Sequence, residues 1–205
     1  MPPPHVQGSR RPTYTVIAGP NGSGKSTLVG ELQAQGVVLG PFINPDVIAA
    51  GLPHDTGNRE LTAGRMALRE SQERLAAGER FAREATFTSS EIMRSLVTAR
   101  SSGFRVDVKF IAVRGVEEAI ARVANRVRNG GHDIPEHVQR RRFDKSIDNA
   151  CRAIHLVDNL QVLENPAGHG HRLVAEVRQG KLTGLAVERP GWVDRIVAET
   201  ERTRA

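Results

Sequence analysis

The chain is poor in the residues that staple or stack a protein. One cysteine, Cys151, in 205 residues excludes an internal disulfide. That cysteine falls in a predicted helix, which marks it as a buried structural thiol rather than a nucleophile. Aromatic residues make up 4%, with one Trp and one Tyr, too few for the stacking platforms on which single-stranded nucleic acid is held. No apolar run approaches a membrane span, and the longest uncharged stretches still carry Gly, Pro and Asn. The opening Met1-Pro2-Pro3-Pro4-His5 has none of the apolar character of a secretory leader. These absences predict a cytoplasmic protein without membrane contact.

What is present is a globular balance, 39% hydrophobic and 25% charged, with length for one core. The formal net charge of +6 points to a polyanionic partner: nucleic acid, a membrane surface or phosphorylated small molecules. Residues 1–12, rich in Pro and Arg, read as a flexible arm, and 13–205 as a single domain. Strand patterns cover 13–18, 37–43, 80–85, 104–113 and 161–164, with helical periodicity over 25–35, 58–77, 91–100, 116–128 and 135–156. Alternation of this kind predicts an α/β fold with a mainly parallel sheet sandwiched by helices. Beyond residue 161 the pattern changes to a hairpin, 174–177 turning into 182–187, and a terminal helix over 190–202 carrying Trp192.

Chemistry concentrates after the first strand. Gly19-Pro20-Asn21-Gly22-Ser23-Gly24-Lys25-Ser26 fits the phosphate-loop pattern G-x-x-x-x-G-K-[ST] in full, with Thr27 following. Glycines allow backbone N–H groups to converge on phosphates, and the helix behind adds its positive end. Lys25 is placed for the β- and γ-phosphates and the Ser26 hydroxyl for Mg²⁺. An apolar strand before the motif and a helix after it are the context that a chance glycine-rich turn lacks. ATP or GTP with Mg²⁺ is therefore the expected cofactor.

The loop names the nucleotide and not the task. The strand over 108–113 ends in Arg114-Gly115 instead of the Asp-Glu of motor and transporter ATPases, and neither a Leu-Ser-Gly-Gly-Gln nor an Asn-Lys-x-Asp motif occurs. Small-molecule kinases need none of these. Asp46, in Asn44-Pro45-Asp46, follows a strand and is placed where an attacking hydroxyl would approach, the lesser alternative being a cap on the next helix. Between residues 122 and 145 lie Arg122, Arg126, Arg128, Arg140, Arg141, Arg142 and Lys145 around Gly130-Gly131, the composition of a lid that closes on a transferring phosphoryl group. A solvated basic face accounts for most of them, leaving one to three functional.

The ordered set resembles the zeta toxin family of kinases, especially its short members. The resemblance runs through Gly19 to Thr27, Asn44-Pro45-Asp46, Glu84-Ala85-Thr86, Gly130-Gly131-His132 with Pro135-Glu136 and Arg141-Arg142-Phe143, then Asp158 and Asn165-Pro166. It implies an ATP- or GTP-dependent kinase acting on a sugar hydroxyl of UDP-N-acetylglucosamine or a related sugar nucleotide, with an antitoxin as partner. By the same resemblance Asp46 is the catalytic base, Asn44, Glu84 and Thr86 belong to the substrate pocket, and Arg126, Arg141 and Arg142 contact the transferred phosphate.

Alternatives stand beside these roles. Arg122, Arg126 and Arg128 compete for one place. Glu84 could pair with Arg80 or Arg83, Thr86 could cap the following helix, and His132 reads as a phosphate contact or a polar loop residue. His169-Gly170-His171 reads as a loop and strand edge. A polynucleotide kinase or nucleic-acid-binding ATPase is the competing function, suggested by the basic charge and disfavoured by the scarcity of aromatics.

Overall fold

The computed structural model describes residues 11–130 and 133–202. Most of the arm and the Gly131-His132 part of the lid hinge therefore lie outside the described residues. The elements, in chain order, are β1 Thr13–Ala18, α1 Lys25–Ala34, β2 Phe42–Ile43, α2 Pro45–Gly51, α3 Arg59–Ala77, β3 Phe81–Ala85, α4 Ser90–Ser101, β4 Arg105–Ala112, α5 Val116–Arg128, α6 Glu136–Ala153, β5 Asn159–Glu164, β6 Arg172–Arg178, β7 Lys181–Leu185 and α7 Trp192–Arg202.

They build one seven-stranded sheet in the order β2-β3-β1-β4-β5-β6-β7. The first five strands in that order run parallel, and β6 and β7 return antiparallel as the predicted hairpin. Strand alternation decides what each face buries. Tyr14, Val16, Phe81, Val108, Phe110 and Val162 enter the main core with α3, α4, α6 and α7, whereas Ile17, Ala82 and Ile111 pack with Leu28, Val29 and Leu32 of α1 on the opposite face. Further out on that second face runs a partly buried polar row, Lys109, Gln161 and Glu176, joined by hydrogen bonds. The terminal helix is tied to the centre by Trp192, whose Nε1 donates to Val113 O at 3.0 Å and whose ring meets Phe110 edge-on.

One expected strand is much shorter than its pattern suggests. Only Phe42–Ile43 of residues 37–43 pairs with β3. Gly40 has φ +78°, where a Cβ would lie 2.6 Å from Arg80 O, and Pro41 has no N–H for a ladder. Val38 is 72% exposed, so the β-branched run that suggested a strand has no face to bury. Among the described residues no helix is long and apolar enough to cross a membrane.

Candidate active site

The strand order places β1 between β3 and β4: the chain crosses from β1 to β2 on one side and from β3 to β4 on the other, so the direction of the crossovers reverses beside β1. In open α/β sheets that point, at the carboxyl ends of the strands, is where ligands bind. The loop from Gly19 to Gly24 leaves β1 there. Gly19 has φ +148° and an ideal Cβ on it would lie 2.0 Å from Ile111 O, so a side chain at this position would collide with β4.

A cavity of about 500 Å³ opens over the loop, walled by Asn21, Gly22, Gly24, Lys25, Ser26 and Thr27. The same cavity is lined by Asn44, Asp46, Glu84 and Thr86, drawn from two further stretches of the chain. Lys25 is 8% exposed, with Nζ donating to Pro20 O at 3.2 Å and lying 3.8 Å from Glu84 Oε1. Glu84, at the end of β3, is 6% exposed and accepts from Asn44 Nδ2 at 3.0 Å and Ser26 Oγ at 3.4 Å.

These contacts resolve three of the open alternatives. Glu84 pairs with Lys25, not with Arg80 or Arg83; Arg83 makes a two-pronged bond to Glu91 at 2.9 and 3.1 Å. Asp46 is not a helix cap. Asn44 caps α2, its Oδ1 accepting from Asp46 N at 2.9 Å with Pro45 at the first helical position. Asp46 is left exposed in the first turn, facing the cavity. Thr86 is not a cap either: Ser89 caps α4, and Thr86 Oγ1 bonds Thr88 Oγ1 at 3.0 Å. Phe87, buried beside it, has φ +62°, a strained conformation for a bulky residue, and Asn149 Nδ2 secures its carbonyl at 2.9 Å.

Burial shifts both ionisable groups of the Lys25–Glu84 pair toward neutrality. The Lys25 ammonium is pushed below its ordinary value by desolvation, opposed by the Glu84 and Asp46 charges. The Glu84 carboxyl is pushed up by desolvation, opposed by Lys25 and reinforced by Asp46. Ser23 Oγ in the loop has no hydrogen-bond partner among the described residues, a shortage that phosphate oxygens would supply. The Ser26 hydroxyl beside a carboxylate is a hard oxygen set suited to Mg²⁺, which keeps waters and phosphate oxygens as its other ligands.

The basic residues separate by position. Arg122 and Arg126 of α5 line the cavity. Arg142 of α6 donates to Asn21 Oδ1 of the loop at 3.2 Å. Arg140 is engaged with Glu117 and Glu136, and Arg128 with Asn125. Arg141 is exposed and is not brought to the cavity wall. Sequence reasoning missed two residues that touch the loop from far away in the chain: Asn165 and His171 bond Ser23 O and Gly24 O. Asn165 had a signal in the Asn165-Pro166 match; His171 had none.

A glycine-rich loop between a strand and a helix at the sheet's switch point, with a lysine paired to a buried glutamate at a cavity, defines a P-loop protein of kinase-like fold. Residues 15–151 match the sequence profile of the AAA domain, and the chain belongs to that family. An uncharacterized protein of Haemophilus influenzae is 32% identical over 126 residues, covering 61% of this chain and 88% of that protein. In fold the chain is similar to the AvrRxo1-ORF1:-ORF2 complex solved with ATP, at TM-score 0.63 and 17% identity over 95% of this chain and 77% of that one. It is equally similar to a structure from the PezAT chromosomal toxin-antitoxin system of Streptococcus pneumoniae, at TM-score 0.62 and 15% identity over 97% and 90%.

Proposed function

We propose that the protein is a kinase that transfers the γ-phosphate of ATP or GTP to a hydroxyl of a small acceptor, a sugar nucleotide of the UDP-N-acetylglucosamine type. The observation that carries this reading is the cavity itself. It is lined by Lys25 and Ser26 of the loop together with Asn44, Asp46, Glu84 and Thr86, with room for two ligands to meet. Bringing acceptor and donor together in line is most of what phosphoryl transfer asks of a protein.

Lys25 and the loop N–H groups hold the phosphates. Asp46 takes the acceptor proton as the acceptor oxygen bonds to the γ-phosphorus and the bond to the bridging oxygen breaks, leaving a nucleoside diphosphate. Asn44, Glu84 and Thr86 orient the acceptor. Arg126 and Arg142, with Arg141 from the same lid, offset charge on the transferring group. Mg²⁺, held at the Ser26 hydroxyl, would neutralise the β- and γ-oxygens. The structural likeness to a toxin-antitoxin system adds an antitoxin as the proposed protein partner, acting in the cytoplasm.

Mass spectrometry of UDP-sugars incubated with the protein, ATP and Mg²⁺ tests the proposal. One added phosphate on a UDP-amino sugar, absent with Lys25→Ala, supports it. Transfer only to nucleic-acid 5′ ends would replace the sugar nucleotide with a polynucleotide acceptor.

A further inference from the structure

Between β5 and β6 the chain passes over the phosphate loop, and two of its side chains land on consecutive loop carbonyls. Asn165 Nδ2 donates to Ser23 O at 2.9 Å. His171 Nε2 lies 3.1 Å from Gly24 O, which also accepts from Leu28 N of α1 at 3.0 Å. The His171 side chain is 2% exposed, and its Nδ1 lies 2.8 Å from Glu31 Oε2 of α1. Both ring nitrogens face oxygens, so a proton on either one has an acceptor. Arg122 Nη2 donates to Asn165 O at 2.7 Å and so ties α5 to the same segment.

In a trans peptide unit the carbonyl of one residue and the N–H of the next lie in one plane and point opposite ways. A bond that fixes Ser23 O therefore also fixes the direction of Gly24 N–H. A bond on Gly24 O does the same for Lys25 N–H. Gly24 and Lys25 both line the cavity. We infer that Asn165 and His171 are positioning residues, which set the aim of these two N–H groups at the phosphates of a bound nucleotide. The C-terminal segment is thereby part of the phosphate site, 142 and 147 residues from the carbonyls it holds.

This rests only on the nucleotide-binding half of the proposed function, so its test needs no acceptor. The probe is ADP with Mg²⁺, titrated calorimetrically into the full chain and into three variants, each checked for folding by circular dichroism. His171→Phe keeps ring volume and removes both bonds; about tenfold weaker ADP binding is expected, the scale of one buried hydrogen bond. His171→Gln carries an amide donor at the reach of Nε2 and restores affinity to within about threefold. His171→Asn carries its donor at the reach of Nδ1, toward Glu31, and does not. That difference separates aiming of the loop from general packing, since both amides fill the site comparably. Should His171→Phe fail to fold, the Gln and Asn pair alone decides. Equal ADP affinity in all variants, or rescue by Asn as good as by Gln, overturns the inference. Absence of ADP binding by the wild-type chain is a separate outcome, which sinks the nucleotide reading and this inference with it.

Discussion

Two glycines six residues apart give opposite answers to the same mutation. Gly24 ends the phosphate loop with φ +94° and ψ 27°, and a Cβ there would lie 2.1 Å from Asn165 Nδ2. Gly30 lies within α1 with nothing within 4 Å of an added Cβ. For Gly24→Ala, a left-handed backbone costs a non-glycine residue about 1–2 kcal/mol. Displacing Asn165 forfeits its bond to Ser23 O for about 1 kcal/mol more. The total, about 2–3 kcal/mol, corresponds to a melting temperature lower by roughly 5–10 °C in a chain of this size. Gly30→Ala has only helix propensity to change and gains about 0.5–1 kcal/mol, a rise of roughly 1–4 °C. Thermal unfolding followed by circular dichroism reads both, and calorimetry with ADP reads whether Gly24→Ala also loses nucleotide. If Gly24→Ala melts with or above Gly30→Ala, the close packing of Asn165 on the loop is wrong.

Other outcomes follow from the same geometry. Lys25→Ala is expected to abolish phosphoryl transfer, whereas Asp46→Asn keeps ADP affinity near wild type and lowers kcat by about 10²-fold or more, the range of a general base; near-normal turnover by Asp46→Asn would refute its assignment. Arg126→Ala should reduce turnover more than Arg141→Ala, because α5 brings Arg126 to the cavity wall and α6 leaves Arg141 exposed; steady-state kinetics that reverse this order would show a lid closing by a different motion. Glu84 has its folded value raised above the ordinary 4.5, so just above that pH the folded chain binds more protons than the unfolded one. Wild-type stability should therefore fall relative to Glu84→Gln as pH rises through that window, measured by urea unfolding; a wild-type stability that rises relative to Glu84→Gln over that window contradicts the burial argument.

The parts read correctly in advance are those whose cause is local. The phosphate loop is one contiguous motif bracketed by a strand and a helix, and α5 occupies the predicted residues 116–128 because its apolar spacing and the break that follows are both contained in the segment. The hairpin was visible through Gln179-Gly180-Lys181, where two positive-φ residues make the turn. The second strand was overread, since β-branched residues at 37 and 38 signal a strand only where a neighbouring face exists to cover them. The ion-pair partners expected for Glu84 were wrong, because Arg80 and Arg83 are near in sequence while Lys25 is near only across β1 and β3.

From the sequence alone came the phosphate-loop motif and the α/β class, because each depends on short-range pattern, a loop that must turn and strands that must alternate; Asn44, Glu84 and Thr86 were singled out by the family resemblance. The tertiary structure decided how those pieces meet. It assigned the cap to Asn44 and so left Asp46 facing the cavity, divided the arginines between wall and surface, and laid Asn165 and His171 on the loop. Such contacts have no sequence period, since they arise only when parallel strands bring residues more than a hundred positions apart to the same end of one sheet.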